Sequence, residues 1–159
     1  AINGGKVGGS VSEAHGGNIL LRNGGSANGG LEEAGSGSVT VSVDIPGVVN
    51  GDLIESGAGS VFVTSDSGSF EGSIIENGGG DVEVTVSAGV SFKGGVEEYG
   101  FGGVTAEVDG FFEGNVTEFA DGNVSTFGAG TFKGNSEHEL PGTCTNTIAR
   151  FEGAACNLL

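Results

Sequence analysis

Glutamate residues recur at a regular interval along this 159-residue chain. Because carboxylates can bind protons, metal ions or backbone amides, they are the clearest candidates for functional residues in the sequence. The pattern Gly, any residue, apolar, any residue, Glu occurs six times, and a seventh copy, Gly134 to His138, has His in the Glu position. The six carboxylates are Glu13, Glu33, Glu55, Glu76, Glu98 and Glu118. If the copies stack in space, these like charges lie about 4.8 Å apart and repel one another unless something offsets the repulsion.

Several arrangements would offset that repulsion. Each Glu can accept hydrogen bonds from the amides of the glycine-rich turn that follows it, as in the segment Glu55-Ser56-Gly57-Ala58-Gly59. Oxygen-rich ladders can also bind calcium. The remaining arrangements are protonated carboxyls and an outward-facing acidic stripe. The sequence favours acceptance of turn amides and leaves the calcium site and the other arrangements open.

The spacing of the copies identifies the element that must position these carboxylates. Successive copies begin 20 to 22 residues apart, at Gly9, Gly29, Gly51, Gly72, Gly94, Gly114 and Gly134. This interval suits one coil of a β-solenoid and is too short for a helical-pair repeat or a propeller blade. Within a copy, Val39, Val41 and Val43 alternate with polar residues at the period of a strand. The repeat therefore predicts short strands joined by glycine-rich corners.

Aligning the copies reveals apolar columns that predict a continuous core. One column is aliphatic until its last member: Ile19, Val39, Val61, Val82, Val104, Val124 and Cys144. Another is mostly aromatic: Val49, Phe70, Phe92, Phe112, Phe132 and Phe151. Neighbouring coils of a solenoid stack like residues in this way. A disordered glycine-rich linker has no reason to keep such a register.

With these coil lengths and columns, the chain resembles a right-handed parallel β-helix over roughly Gly9 to Phe151. The resemblance implies an all-β fold of about seven coils in a single domain, residues 1–159. Half-coils are expected at both ends, at residues 1–8 and 153–159. The resemblance extends to the architecture only, and fold alone does not give function.

Composition narrows the partners and the compartment. The formal net charge of −16 argues against nucleic acid and anionic membranes, and no apolar run is long enough to enter a bilayer. A chain that begins at Ala1 and lacks methionine suggests a mature, secreted product. Cys144 and Cys156, the only cysteines, are expected to form a disulfide that closes the last coil. Asn115 and Asn123 each begin an N-glycosylation motif.

The sequence predicts a protein that is not an enzyme. It contains no phosphate-binding loop, no His-Glu-x-x-His and no Gly-x-Ser-x-Gly motif. Its two histidines, His15 and His138, stand at opposite ends of the repeats. A carboxylate pair can hydrolyse a glycoside, but a column that repeats in every coil marks no unique pair.

Three non-catalytic functions remain. The first is an extracellular structural protein that associates with itself, head to tail, into fibres or a surface layer through Ile2, Val7, Leu158 and Leu159. The second is ice binding by a flat face bearing Thr40, Thr64, Thr85, Thr105 and Thr145, although Phe62 and Glu83 interrupt that face. The third is glycan binding, for which the candidate exposed stacking residues are Tyr99, Phe101, Phe111 and Phe119. The sequence favours the first.

Overall fold

The computed structural model describes residues 1–22, 26–44 and 47–159, and these form a parallel β-solenoid of about eight coils. The predicted all-β architecture is confirmed, with one coil more than the repeat count suggested. The difference arises at the end of the chain, where Leu158 pairs with His138 and occupies the Glu position of an eighth coil. Residues 1–8 supply the first two strands of the first coil, and residues 153–159 supply the last strand of the eighth.

Most coils contain three strands. The first four coils contain β1 (Ile2–Asn3), β2 (Lys6–Val7), β3 (Val11–Glu13); β4 (Ile19–Arg22), β5 (Ser26–Ala27), β6 (Leu31–Glu33); β7 (Val39–Val43), β8 (Val48–Val49), β9 (Leu53–Glu55); β10 (Val61–Ser65), β11 (Ser69–Glu71) and β12 (Ile74–Glu76). The last four contain β13 (Val82–Val86), β14 (Ser91–Lys93), β15 (Val96–Glu98); β16 (Val104–Val108), β17 (Phe111–Glu113), β18 (Val116–Glu118); β19 (Val124–Lys133), β20 (Ser136–His138); β21 (Cys144–Glu152) and β22 (Asn157–Leu158).

The strands form three faces of the solenoid. Face A contains the first strand of every coil, face B the second and face C the third. In the seventh and eighth coils one long strand, β19 or β21, turns the corner between faces A and B. Faces A and B are thereby joined into a 14-stranded sheet, and face C is a separate eight-stranded sheet.

The core runs along the axis as stacked columns of like side chains. On face A the valine column is in register, with Val61 opposite both Val39 and Val82. On face B the rings of Phe70, Phe92, Phe112, Phe132 and Phe151 stack with centroids 4.5, 4.7, 4.7 and 4.9 Å apart. The first four of these rings are completely buried. The phenylalanine spine predicted from the sequence is therefore present.

Glycine columns form the corners because successive coils approach closely there. A Cβ added to Gly57 would collide with the carbonyl oxygen of Gly35 in the preceding coil, and one added to Gly78 would meet that of Gly57. Only a residue without a side chain fits between such neighbours. These corners bring the amide groups of each turn to the end of the face C strand.

Candidate functional site

The six repeated glutamates form one column on face C. Each is the last residue of its strand, and the strand register aligns them coil by coil until Glu118 pairs with His138. In these strands the first residue, such as Leu53 or Ile74, is buried in the core. The third residue lies on the same side of the strand and points inward as well. The column is therefore internal and is not the outward acidic stripe considered from sequence.

The column is almost entirely removed from water. Its completely buried members are Glu33, Glu55, Glu76, Glu98 and Glu118. One oxygen of each, Oε1, accepts hydrogen bonds from the turn that follows the strand. Glu55 Oε1 accepts from the N–H of Gly57 at 2.9 Å and of Gly59 at 3.2 Å. In each of the other four glutamates, Oε1 likewise accepts a hydrogen bond from the backbone N–H of the residue two positions later.

The second oxygen of these five carboxyls has a different environment. Each Oε2 is buried and receives no hydrogen bond from a donor group in the described part of the chain. Carboxyls of adjoining coils nevertheless lie within hydrogen-bonding reach of one another. Glu76 is in such contact with Glu55 and Glu98, Glu33 with Glu13 and Glu55, and Glu98 with Glu118. The buried carboxyls therefore form an uninterrupted chain of contacts along the axis.

Burial changes the acidity of the column. Desolvation raises the pKa of the Glu33, Glu55, Glu76 and Glu98 carboxyls above the ordinary value, and it raises that of Glu76 to about 7. Contact with the carboxyl of the next coil raises the pKa of Glu55 and Glu76 further. Contact with the carboxyl of the preceding coil and hydrogen bonds from the turn amides oppose these shifts. The interior favours the neutral form of these groups.

The pKa of Glu13, at the N-terminal end of the column, is lowered instead of raised. Its Oε2 accepts hydrogen bonds from the N–H groups of Gly16, His15 and Gly17 at 3.0, 3.1 and 2.9 Å. These bonds, the one from Gly16 above all, lower the pKa of Glu13 to about 2. Glu13 is therefore the ionised member at one end. At the other end stands His138, whose Nδ1 is buried without a partner in the described residues.

The column could hold protons or cations, but its geometry distinguishes no pair of carboxylates for catalysis. No three His, Cys, Asp or Glu side chains within residues 1–22, 26–44 and 47–159 converge in an arrangement suited to a metal ion. Calcium binding by this column therefore remains a sequence-based prediction. The described residues also include no helix that could span a membrane.

The predicted disulfide is confirmed. Cys144 and Cys156 are bonded, with their Cα atoms 5.3 Å apart and a sequence separation of 12. Cys144 continues the valine column of face A, and Cys156 follows Ser136 on face C, where its N–H donates to Ser136 Oγ. The bond thus crosses the interior of the eighth coil, where earlier coils place apolar side chains.

The four residues expected at an assembly interface lie at the two ends of the solenoid. Ile2 and Val7 belong to the first coil, are partly exposed and pack against the core. Leu158 and Leu159 lie at the opposite end and are 58% and 52% exposed. The structure therefore separates them into two terminal patches.

The five threonines of the alternative ice-binding face lie on face A, in two rows. The strand register aligns Thr64 with Thr85, whereas Thr40 lies opposite Phe62 in the other row. Glu83 separates Phe62 from Thr105 in that second row, and Thr145 lies beyond Ser125 at its end. Neither row is an unbroken array of threonines.

Both N-glycosylation motifs lie at exposed corners. Asn115 Oδ1 accepts a hydrogen bond from the N–H of Asn135 at 3.0 Å, and Asn123 Oδ1 accepts one from the N–H of Thr143 at 2.9 Å. Each asparagine therefore joins its coil to the next. Modification at either position remains a prediction.

Aromatic side chains that are exposed or partly exposed follow the glutamate column in the face C turns. The rings of Tyr99 and Phe119 stack with centroids 4.5 Å apart, and Phe101 nearby is 81% exposed. A groove beside Phe101 is lined by Asp81, Glu83 and other polar residues. These are the stacking surfaces that the glycan-binding alternative requires.

The structure also reveals a charged ladder that the sequence reasoning missed. Directly after the phenylalanine column, face B carries an alternating row: Glu71, Lys93, Glu113, Lys133 and Glu152. Lys133 Nζ lies 2.9 Å from Glu113 Oε1, and Glu113 also interacts favourably with Lys93. The signal was present in the alternation of Phe-Glu-Gly and Phe-Lys-Gly along the chain. Two of the basic residues thus belong to one ladder of opposite charges.

Comparison of this chain with protein-family models, with curated proteins and with solved structures finds no match. The strand pairing described above defines the chain as a parallel β-solenoid repeat protein.

Proposed function

We propose that this chain is a non-catalytic, secreted structural protein whose copies associate end to end into extracellular fibres or a surface layer. The observation that carries the proposal is the unpaired backbone edge at both ends of the described solenoid. At one end β1, β2 and β3 pair only with the second coil, and at the other end β21 and β22 pair only with the seventh. Unpaired edges of this kind are templates for strand addition.

The side chains at these edges support association between copies. Ile2, Val7 and Val11 at one end, and Ile148 and Phe151 at the other, pack on the core and remain partly exposed. Val7 and Phe151 belong to the same face B column, so an in-register junction would place the Phe151 ring on Val7. Such a junction repeats the stacking found between coils, and a contact between unlike ends leads to an open filament.

The other parts of the proposal rest on separate observations. The Cys144–Cys156 disulfide supports an oxidising compartment such as the extracellular space. The repetition of the glutamate column in coil after coil favours an architectural role over catalysis. Ice binding has less support, because aromatic and acidic side chains interrupt both threonine rows.

A substitution at Ser12 tests the proposed association. The Val11 N–H donates to Gly30 O and the Glu13 C=O accepts from the Ala34 N–H, so the Ser12 backbone between them faces the open edge. Ser12→Pro removes an outward donor without removing a hydrogen bond to the second coil, and Ser12→Ala is the matched control. We expect sedimentation velocity to show concentration-dependent oligomers for the unaltered chain and for Ser12→Ala, and monomers for Ser12→Pro.

Negative-stain microscopy should show filaments one coil wide for the unaltered chain. Deleting Leu158 and Leu159 at the other edge should also release monomers, with the β-sheet circular dichroism signal retained. An unaltered chain that stays monomeric at the highest attainable concentration would refute the assembly.

A further inference from the structure

We infer that the buried glutamate column is a proton-binding array, in which neighbouring carboxyls of Glu33, Glu55, Glu76, Glu98 and Glu118 are joined at neutral pH by protons shared between successive coils. In each shared pair, the protonated Oε2–H of one carboxyl donates to a carboxylate oxygen of the next coil. This inference rests on the geometry of the column and is independent of the proposed assembly.

Each buried carboxyl has one oxygen that receives no hydrogen bond from a donor in the described residues. The turn amides satisfy Oε1, as the Gly57 and Gly59 N–H groups do for Glu55. The Oε2 atoms are buried and have no such partner in the described residues. Leaving a buried charged acceptor unpaired costs substantial free energy, so a partner is required.

The strand register places the carboxyls of the neighbouring coils directly beside each buried glutamate, as Glu55 and Glu98 lie on either side of Glu76. The Glu76 side chain is in hydrogen-bonding contact with that of Glu55 in the preceding coil and that of Glu98 in the following coil. Two carboxylates both accept and cannot pair, whereas one proton makes the contact a strong O–H···O⁻ hydrogen bond. Like charges held this close do not both ionise readily, and one of the two keeps its proton.

The lysine and arginine side chains of the described residues are all exposed, so none of them neutralises the buried column. Faces A and B present apolar side chains toward the interior, such as Val41, Val63 and Phe92, together with the neutral Ser65 and Thr126. Within the described residues, the titratable groups in register with the buried carboxyls are Glu13 at one end and His138 at the other. Glu32 and Glu97 belong to the same strands but project from the opposite side. The raised pKa values of Glu55 and Glu76 agree with proton retention.

The consequence is a stability that depends on pH with a defined sign. The folded chain holds protons that the unfolded chain releases above its ordinary carboxyl pKa. Stability therefore falls as the pH rises from about 4.5 toward the raised folded pKa of Glu76, about 7. For each proton held in excess, the unfolding equilibrium constant should increase about tenfold per pH unit in this range. Glu13 titrates below this range and does not contribute to the slope.

The test compares Glu76→Gln with Glu83→Gln at several pH values. The Gln side chain at position 76 can still accept the Gly78 amide, and its N–H₂ can replace the shared proton as a donor to a neighbouring carboxylate. Glu83 is exposed on face A, and its substitution makes the same chemical change at a carboxyl outside the column. We expect Glu76→Gln to reduce the pH slope of the unfolding constant by roughly one proton, about tenfold per pH unit, and Glu83→Gln to leave the slope unchanged.

Infrared spectroscopy in D₂O at pH 7 supplies an independent measurement. The unaltered chain should show the carbonyl band of a protonated carboxylic acid, and Glu76→Gln should weaken it while Glu83→Gln does not. Absence of this band at pH 7, or equal pH slopes in both variants, would overturn the inference. Stabilisation at pH 8 by calcium chloride, but not by sodium chloride of matched ionic strength, together with absence of the acid band, would assign the column to a cation instead.

Discussion

Single residues in this protein act mainly through their copies in neighbouring coils. A phenylalanine in the face B column packs on the ring before it and the ring after it, so one side chain contributes to two interfaces between coils. The same holds for a buried glutamate such as Glu76, which lies between the carboxyls of Glu55 and Glu98 in the two neighbouring coils. The effect of a substitution therefore depends on its column and on its distance from the ends.

Phe92→Ala should be among the most destabilising single substitutions. Phe92 is completely buried between Phe70 and Phe112, and its removal leaves a cavity against two rings. We expect a loss of about 3 to 5 kcal/mol in the free energy of unfolding, measured by denaturant titration. Phe101→Ala is the control, because Phe101 is 81% exposed and its removal should change stability by less than about 0.5 kcal/mol. Equal losses for the two variants would contradict the spine.

At the scale of elements, the strands are short and the corners decide how closely coils approach. Corner glycines lie under the carbonyl oxygens of the preceding coil, which leaves no room for a side chain. Turn amides at the same corners bind Oε1 of the glutamate column. A corner is therefore a steric requirement and a hydrogen-bonding site at once.

Gly57→Ala and Gly79→Ala should differ in sign although both lie in face C turns. A Cβ at position 57 would strike the Gly35 carbonyl oxygen, whereas one at position 79 has nothing within 4 Å. We expect Gly57→Ala to destabilise the fold by about 1 to 3 kcal/mol, as overpacking does. Gly79→Ala should be neutral or stabilising by up to about 1 kcal/mol, because Ala restricts the unfolded chain. Thermal unfolding measures both, and a neutral Gly57→Ala would show that the corner can widen.

At the scale of the whole molecule, the fold is a row of coils in which each contacts mainly its neighbours. Stability in such a row is approximately a sum over coils and interfaces, and the terminal coils have one interface fewer. The eighth coil has the disulfide as an additional constraint. The first coil, made of β1, β2 and β3, has no covalent link of this kind.

Removal of the disulfide should therefore loosen one end of the molecule. In Cys144→Ser/Cys156→Ser we expect a loss of about 2 to 4 kcal/mol for the part of the fold that includes the eighth coil. Hydrogen exchange should show faster exchange in β21 and β22 and little change in β10 to β13, because interfaces in the middle coils are unaltered. Uniformly faster exchange along the chain would show instead that the solenoid unfolds as one cooperative unit.

The sequence by itself determined the solenoid, because its repeat has the length of a coil and its strand period places like residues in columns. The phenylalanine spine, the strand-and-corner alternation and the Cys144–Cys156 pair could all be derived in that way. The count of coils was one short, because Leu158 does not resemble the Glu whose position it occupies. The charged ladder was also present in the sequence, as the residue after each phenylalanine. Only the strand pairing shows that Glu71, Lys93 and Glu113 are neighbours of opposite charge.

Only the tertiary structure decided which way the glutamates face and what surrounds them. The spacing of Glu55 and Glu76 is the same whether the column is inside or outside, and only the core position of Leu53 and Ile74 two residues earlier makes it internal. Burial then leaves Oε2 without a donor and raises the pKa of these carboxyls, which no local pattern encodes. The physical reason is that desolvation depends on all the coils and faces around a group, whereas a sequence repeat specifies only its neighbours along one column.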